Sequence, residues 1–301
     1  MIEKLAILAP GLIGASVARA ARARGAARHI TLWSRKPSAR AALRRQPWCD
    51  AVAATPQAAV DGADLVVLAA PVDVIIGLLP QIAPALKPGA LVTDVGSTKR
   101  GILAAAARAV RGAVFFIGSH PMAGSEKTGW RNATETLFDN RAIFLTPRKN
   151  TPAARLRELG RFWKTLGGRV SVVTPEAHDR IVAAVSHLPQ AVATALAATL
   201  AAQNPGWGRY AGNGLRDTTR VAAGDPAMWL PIFRHNRAGI LGQLRRFRRQ
   251  LDAVESALAA GDEAALLKLL RAGGGFRRSL DRTPRKTAAK KQLPRPPARL
   301  A

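Results

Sequence analysis

The sequence predicts an α/β protein in which a doubly wound parallel sheet is followed by an all-helical region. Three observations support this fold class: short apolar runs alternate with helical patterns up to about residue 174, these runs are continuous as in strands buried on both faces, and no strand pattern recurs afterwards. At 301 residues the chain is long enough for two cores. We therefore expect a first domain at residues 1–174, a helical domain at 175–275 and a basic tail at 276–301.

The elements of the first domain follow from its apolar runs and helical periodicity. The first unit is a strand at residues 4–8, a turn at 9–14 and a helix at 15–24 that ends at Gly25. Alternation of this kind is typical of a parallel sheet with helices on both faces. The remaining strands are expected at residues 29–33, 64–69, 91–95, 114–117 and 169–173, and the clearest helices at 74–86, 99–108 and 152–166.

The helical region begins with a clear start signal. Thr174 can cap a helix whose first position is Pro175, and Ala- and Leu-rich helices continue to about residue 272. Pro189 should kink the first of them because its ring removes a backbone hydrogen bond. Three glycines at 273–275 are expected to break the chain, and the Lys-, Arg- and Pro-rich segment from Thr283 onward is expected to be disordered.

Composition limits the classes of partner. The formal net charge of +27 suggests a nucleic-acid partner at first, but the basic residues are spread along the chain without interleaved aromatics, so we expect no specific nucleic-acid partner. The single cysteine, Cys49, excludes an internal disulfide and favours a reducing, cytoplasmic location. No uninterrupted apolar run reaches the roughly 20 residues of a membrane span, so no membrane partner is expected.

The turn after the first strand carries a dinucleotide-binding pattern. Its spacing is Ala9-x-Gly11-x-x-Gly14, with alanine in the place of the first glycine. Gly11 would let the backbone amides of the helix start, including those of Leu12 and Ile13, approach a pyrophosphate, and Gly14 would let the helix pack closely on the strand. Placed between a strand and a helix, the pattern predicts a Rossmann-like NAD(P)-binding domain.

The end of the second strand should distinguish the two nicotinamide cofactors. An acidic residue there would bind the ribose hydroxyls of NAD, but this strand ends with Ser34, Arg35 and Lys36, which could hold a 2′-phosphate. We therefore favour NADP over NAD. Pro71, which follows the strand at 64–69, is also assigned to the cofactor site.

Several separate motifs then point to one family. They are Asp94-Val95-Gly96-Ser97-Thr98-Lys99, Gly118-Ser119-His120-Pro121-Met122-Ala123-Gly124, His178-Asp179, Ser186-His187-Leu188-Pro189 and Arg216-Asp217-Thr218-Thr219-Arg220. Together they resemble the prephenate and arogenate dehydrogenase family of tyrosine biosynthesis, over roughly residues 4 to 240. The resemblance implies oxidation of a hydroxycyclohexadiene, in which hydride leaves the ring carbon that bears the hydroxyl and the ring carboxylate departs as carbon dioxide.

The resemblance also implies roles for individual residues. His120, expected in a loop after the fifth strand, would accept the hydroxyl proton, a task that suits a neutral imidazole. Ser97 would bind the substrate hydroxyl and His120, although it could also cap the following helix. Arg220 is the expected anchor of the substrate carboxylate because a guanidinium binds a carboxylate with two hydrogen bonds, and Arg216 competes for that role.

Two residues on the first long helix are expected near the substrate. His187 is a candidate for substrate contact, while His178 is interpreted as mainly structural; the two are half a turn out of phase, so no metal site is implied. Family members often have a histidine directly after Ser-His-Leu-Pro, but this chain has Gln190. Gln190 therefore leaves the choice between prephenate and arogenate open.

Two alternatives remain beside this interpretation. A β-hydroxyacid dehydrogenase would share the fold but would be expected to use a lysine on the helical domain, and the helix at 177–202 contains none. A basic polyanion-binding protein with a regulatory nucleotide site would show salt-dependent binding and no turnover. The apolar face formed by Leu188, Val192, Leu196 and Leu200 exceeds what one copy is expected to cover, which favours a homodimer, as in the family.

Overall fold

A single eight-stranded sheet organises the first part of the computed structural model, which describes residues 1–124 and 128–282. The strands lie in the order β3-β2-β1-β4-β5-β6-β7-β8. All neighbouring strands are parallel except β6 and β7, which are antiparallel. In chain order, β1 to β8 are Ile2–Leu8, Ala27–Trp33, Ala51–Val52, Leu65–Leu68, Leu91–Asp94, Phe115–Pro121, Ala142–Pro147 and Arg169–Val172.

Twelve α-helices accompany the sheet in the described residues. Those before Val173 lie between strands, and only helices and turns follow β8. Contacts divide the chain within its eleventh helix, so that residues up to Arg248 form one unit and residues from Arg249 a second. In chain order, α1 to α12 are Leu12–Ala23, Pro37–Leu43, Pro56–Val60, Val72–Ile82, Arg100–Ala109, Ala153–Thr165, Pro175–Val182, Leu188–Gln203, Asn213–Thr219, Pro226–His235, Arg237–Ala259 and Glu263–Arg282.

The predicted doubly wound sheet is confirmed, but three features of it were missed. β3 has only two residues, too few for a recognisable pattern, and the antiparallel strand β7 was not predicted. In addition, β6 continues past the predicted end at Ile117 because its Gly-Ser-His-Pro extension pairs with β7. The expectation that His120 lies in a loop is therefore wrong, since this residue is part of β6 and is opposite Phe144 of β7.

The helix signals give a mixed result. The Thr174 hydroxyl accepts a hydrogen bond from the amide of Ala177, which confirms it as the cap of α7. A π-helical segment, Ala183–His187, separates α7 from α8 just before Pro189, so the helix is irregular where the proline predicted it. The glycines at 273–275 do not end a helix, however, because α12 continues through them. Glycine lowers helix stability by about 1 kcal/mol relative to alanine but creates no clash, and good helix formers lie on either side. The predicted disorder from Thr283 falls outside the described residues.

Two apolar layers cover the sheet. One contains Leu5 and Ile7 of β1 and packs with α1 and α6, and the other contains Ala6 and Leu8 and packs with α4 and α5. The strands are thus buried on both faces, as their continuous apolar runs predict. Because β1, β4, β5 and β6 are parallel, their carboxyl ends lie along one edge of the sheet, where ligands bind in folds of this kind.

One helical stretch, Pro175–Gln203, is long and apolar enough to cross a membrane by length and composition alone. The stretch also carries buried polar side chains, including those of His178, Asp179, His187 and Gln190. Buried groups of this kind are expensive to place in lipid without partners, and three of the four bond to residues of the sheet domain or to Asn236, the C-cap residue of α10. We therefore describe it as part of the folded core.

A buried hydrogen-bond cluster ties β5, β6 and α6 together and yields a first prediction. The Ser119 hydroxyl lies 2.7 Å from Thr93 Oγ1 and accepts a hydrogen bond of 3.0 Å from the indole of Trp163. Ser119→Ala should lower the free energy of unfolding by about 1–3 kcal/mol, because it leaves the buried indole N–H unpaired. Urea denaturation measures the change. Thr199→Ala, whose exposed hydroxyl bonds its own helix, is the control, and equal stability of the two variants would contradict the prediction.

Candidate active site

The glycine turn has the geometry of a dinucleotide site. Ala9 adopts a left-handed conformation with φ of 59°, which explains why glycine is usual there. A side chain on Gly11 would meet nothing within 4 Å, so the space above the turn is open. A Cβ on Gly14, in contrast, would lie 2.6 Å from the Cβ of Ala69, so α1 packs against β4 at a distance that only glycine allows.

The start of α1 can hold a pyrophosphate. Gly11 is its N-cap residue and no side chain caps the helix, so the first backbone amides, which include those of Leu12 and Ile13, are available to an anion. An open approach, free amides and a close strand contact are the features that a nicotinamide dinucleotide requires. The residues present therefore fit the cofactor.

The ribose end of this site is basic. Ser34 is half-buried, while Arg35 and Lys36 are exposed at the end of β2. Sequence analysis missed Arg40, whose Nη1 donates to the carbonyl oxygens of Ser34 at 2.8 Å and Arg35 at 3.1 Å. Its contact depends on how α2 folds back, which no motif indicates. Pro71 is exposed and forms the N-cap of α4, directly after β4.

His120 occupies the centre of the polar cluster at the carboxyl edge. Its side chain is buried, with 8% of the residue exposed. Nδ1 lies 2.9 Å from Nε2 of His178, whereas Nε2 has no hydrogen-bond partner in the described part of the chain. Burial, together with the positive charge that His178 and Lys99 would carry, holds the pKa of His120 well below its usual value. The ring is therefore neutral at physiological pH.

His178 and Asp179 extend this contact toward α5. His178 Nδ1 lies 2.8 Å from Oδ1 of Asp179. The same carboxylate accepts the backbone amides of Lys99 at 2.7 Å and Arg100 at 3.1 Å. Burial raises the pKa of Asp179, but the His178 and amide hydrogen bonds outweigh it and leave the pKa below its usual value. The carboxylate therefore stays ionised.

A second buried carboxylate lies below the cluster. Asp94 pairs with the ammonium of Lys99, and both side chains are fully buried. Burial lowers the pKa of Lys99 and raises that of Asp94, and each partner opposes the effect on the other. Asp94 also accepts the amides of Gly96 at 2.7 Å and Ser119 at 3.3 Å. The ammonium of Lys99 is thus bound by Asp94 and shielded from solvent.

Ser97 follows Asp94 by three residues, and its hydroxyl is available to a ligand. It is half-buried in the bend between β5 and α5, and its hydroxyl makes no hydrogen bond to another described residue. The alternative that Ser97 caps the next helix is wrong, because α5 begins at Arg100 and its first amides are bound by Asp179. A free hydroxyl here is consistent with the expected contact to a substrate.

His187 and Gln190 present unpaired polar atoms. The amide nitrogen of Asn236 donates to Nδ1 of His187 at 3.1 Å, so Nε2 carries the proton, and this buried N–H has no partner in the described residues. Burial lowers the pKa of His187 to about 4. One turn later, the buried carbonyl oxygen of Gln190 is also unpaired within the described chain. A bound polar ligand would satisfy both atoms.

The two candidate anchors are exposed. Arg220 begins a short 3-10 turn after α9 and has no hydrogen bond or ion pair with another described residue. Arg216 Nε donates to the carbonyl of Ala211 at 3.3 Å. Neither arginine contacts the histidine cluster directly. Asp225, in contrast, caps α10, since its carboxylate accepts the amide of Ala227.

Cys49 takes no part in this arrangement. Its thiol donates to the carbonyl oxygen of Ala51 at 3.1 Å. Burial raises the pKa of the thiol to about 11, so little thiolate is present at neutral pH. Cys49 is therefore not a nucleophile at neutral pH.

The fold and the glycine turn define a dehydrogenase that binds a nicotinamide dinucleotide. A family model for the nucleotide-binding domain of prephenate dehydrogenase matches residues 17–172, and one for its dimerization domain matches residues 174–272. The chain therefore belongs to the prephenate dehydrogenase family.

Individual relatives agree with this membership. Cyclohexadienyl dehydrogenase of Zymomonas mobilis is 32% identical over 273 residues, which are 89% of this chain and 92% of that protein. The crystal structure of prephenate dehydrogenase from A. aeolicus, in complex with hydroxyphenyl propionate and NAD+, has a TM-score of 0.87 at 29% identity and covers 93% of this chain and 99% of that one. Synechocystis arogenate dehydrogenase has a TM-score of 0.80 at 32% identity, with 92% and 99% covered.

The two glycines of the turn give a matched prediction. Gly14→Ala should lower the free energy of unfolding by about 1–3 kcal/mol because its methyl group overlaps Ala69. Gly11→Ala has open space and should keep stability, yet it should weaken cofactor binding because the methyl group occupies the approach to the amides. Chemical denaturation and cofactor titration measure the two effects. A Gly11→Ala protein that binds cofactor normally would contradict this assignment.

Proposed function

We propose that this protein catalyses the NAD(P)-dependent oxidative decarboxylation of prephenate, to 4-hydroxyphenylpyruvate, or of arogenate, to tyrosine. The observation that carries the proposal is the buried, neutral His120, whose Nε2 has no partner among the described residues and lies at the carboxyl edge of a sheet with a glycine turn at its first strand. Membership of the prephenate dehydrogenase family supports the choice of reaction.

The reaction needs a base that can return its proton. His120 Nε2 accepts the proton of the ring hydroxyl as that oxygen becomes a carbonyl. The bound nicotinamide ring supplies the acceptor for the hydride that leaves the same carbon. The bond between the ring and its carboxylate then breaks, its electron pair enters the ring, and carbon dioxide departs. The oxygen becomes a phenol and takes the proton back from His120, so no net proton is released.

The remaining residues bind and orient the substrate. We assign the ring carboxylate to Arg220, with Arg216 as the alternative, because an exposed guanidinium without a partner can bind a carboxylate. Ser97 donates to the substrate hydroxyl. His187 and Gln190 contact the side chain, which would satisfy their unpaired N–H and carbonyl oxygen. An amino group could donate to Gln190, and a keto oxygen could accept from His187, so both substrates remain candidates.

The cofactor preference is proposed as NADP. Ser34, Arg35 and Lys36 end β2 without an acidic side chain that would bind the ribose hydroxyls of NAD. Arg40 adds a fourth polar group and holds the backbone of Ser34 and Arg35 in place. A 2′-phosphate would find several positively charged donors here.

The assembly is proposed as a soluble, cytoplasmic homodimer. The half-buried residues Leu188, Val192, Leu196 and Leu200 leave part of α8 uncovered in one copy. In the second unit, α12 exposes Leu267, Leu270, Phe276 and Leu280. Two copies would cover such faces. The domain boundary is proposed after residue 174, and the ranges of the two family models, 17–172 and 174–272, support this choice.

One assay tests the reaction against its alternatives. Purified protein is incubated with prephenate or arogenate and with NAD or NADP, and the absorbance of the reduced cofactor is followed. Turnover with at least one pair is expected. No turnover with any of the four pairs would contradict the proposal, and salt-dependent polyanion binding in its place would favour the binding-protein alternative. In the active pair, His120→Asn should lower kcat by about two to four orders of magnitude while the cofactor still binds.

The pH dependence follows from the depressed pKa of His120. The base acts in its neutral form, so activity is present above its pKa and is lost as the pH falls through it. Because burial holds this pKa well below the usual value, kcat/KM should stay level as the pH falls through 6.5 and decrease only at lower pH. A profile of kcat/KM with an inflection at about 6.5 would contradict the assignment.

The cofactor preference has its own test. Replacing both Arg35 and Lys36 by alanine should raise KM for NADP about tenfold or more, since charge-assisted hydrogen bonds to the phosphate are lost, and should change KM for NAD little. Arg44→Ala removes an exposed arginine of the same segment and serves as the control. Equal effects on both cofactors would argue against a phosphate site.

A further inference from the structure

We infer that His178 and Asp179 are positioning residues that keep His120 in the tautomer with an unprotonated Nε2. This inference rests on the proposed role of His120 as the proton acceptor. It goes further because it assigns a function to two residues that sequence analysis places in the background, and because it explains how a buried imidazole is prepared for its task.

The direction of the hydrogen bonds follows from Asp179. Its ionised carboxylate can only accept, so the 2.8 Å contact requires that His178 Nδ1 carries a proton. A neutral His178 then has a lone pair on Nε2. That lone pair lies 2.9 Å from Nδ1 of His120, so Nδ1 of His120 is the donor. The remaining nitrogen of His120, Nε2, is left with a free lone pair.

The other contacts of Asp179 keep its carboxylate in place as the acceptor at the end of this series of hydrogen bonds. Its two oxygens are bound by the amides of Lys99 and Arg100 at the start of α5. The backbone carbonyl of Asp179 also accepts the side-chain amide of Asn236 at 2.7 Å. The start of α5 thus holds the carboxylate, and Asn236 holds the backbone of the same residue. His178 is fixed in turn by its contact with Phe144, whose ring lies edge-on at 5.4 Å.

The groups around His120 explain why its protonated form needs the support of His178 and Asp179. The groups that face His120 are His178 of α7, His187 of the π-helical segment and Lys99, which is paired with Asp94. The ring is desolvated, so a proton on Nε2 would lack the stabilisation that water gives. Through His178, the Asp179 carboxylate offers a negative charge to the transient imidazolium, as an acidic residue does beside other catalytic histidines. The proton is returned to the phenol, so no path to solvent is needed.

Substitutions at position 178 separate positioning from packing. His178→Leu removes the acceptor and should lower kcat about 100-fold or more, with KM for substrate and cofactor changed by less than about threefold. His178→Gln offers an amide oxygen to His120 Nδ1 and should recover kcat to within about tenfold of wild type. His29→Leu replaces an exposed histidine of β2 and is the control, with unchanged kinetics. Circular dichroism and thermal unfolding verify that each variant is folded.

Asp179→Asn gives a test of the direction of the bonds. Oδ1 of Asp179 accepts both the Lys99 amide and His178 Nδ1–H, whereas Oδ2 accepts only the Arg100 amide, so an asparagine cannot serve all three donors with its single oxygen. With its NH2 group at the Oδ1 position it donates to His178, which places a proton on His178 Nε2 and then on Nε2 of His120; with its oxygen there the direction of the bonds is kept but the negative charge is lost. Both orientations impair the base, so kcat should fall, and about as far as in His178→Leu when the NH2 group faces His178. If this variant does not fold because the α5 cap is weakened, the position 178 series decides the question.

Nuclear magnetic resonance reads the tautomer without turnover. In protein labelled with 15N-histidine, long-range 1H–15N correlation should show His120 protonated at Nδ1 in wild type and shifted toward the Nε2-protonated form in His178→Leu. A wild-type His120 protonated at Nε2, or a His178→Leu variant with wild-type tautomer and kcat, would overturn the inference. The expected tautomer without turnover on any of the four substrate and cofactor pairs would contradict the proposed function alone.

Discussion

The carboxylate of Asp179 connects the sheet domain to the helices that follow it, and the site depends on that connection. It caps α5 from a position about eighty residues further along the chain, where a local serine or threonine would be the usual solution. The same oxygen orients His178. Helix stability and imidazole orientation therefore rely on one group. A displacement of α7 would remove a helix cap and disturb the base together, which couples correct folding of the helical region to the chemistry.

Each carboxylate of the buried polar cluster has partners that compensate its charge. Two carboxylates, a lysine and three histidines lie close together with little water, an arrangement that would be costly if any charge were left alone. Asp94 is neutralised by Lys99, and Asp179 is bound by two amides and His178. The histidines stay neutral because burial depresses their pKa values. The buried polar atoms without a partner in the described part of the chain include those of His187 and Gln190, which are the proposed contacts of the substrate side chain.

The sequence predicted the sheet and its glycine turn, because these depend on short patterns. Apolar runs and the Gly11 and Gly14 spacing are local, and the backbone around them behaves as those residues require. The extension of β6 was missed because its pairing with β7 depends on a distant segment, while Gly-Ser-His-Pro has no strand character by itself. Glycines 273–275 were misjudged for the opposite reason, since a local rule was given more weight than the flanking helix formers.

The sequence also did not predict contacts between residues that are far apart in the chain. His178 next to Asp179 is visible in the sequence, but nothing local reveals that His178 meets His120 or that Asp179 caps α5. Asn236 and Arg40 carry no motif at all, and their roles follow from where α10 and α2 come to lie. Ser97 illustrates the reverse case, in which a plausible local role as a cap disappears because a distant residue already fills it.

His120 and Gln190 lie on separate elements, β6 and the helix after the π-helical segment, and this separation has an evolutionary consequence. His120, the proposed proton acceptor, belongs to a strand that is paired on both sides and supported by the core, so this position tolerates little change. Gln190 lies on a different element, just after the irregular turn of the helix, where the backbone is not constrained by a sheet. Under the proposed roles, substitutions at Gln190 would adapt the enzyme to a new substrate side chain while the ring chemistry stays the same.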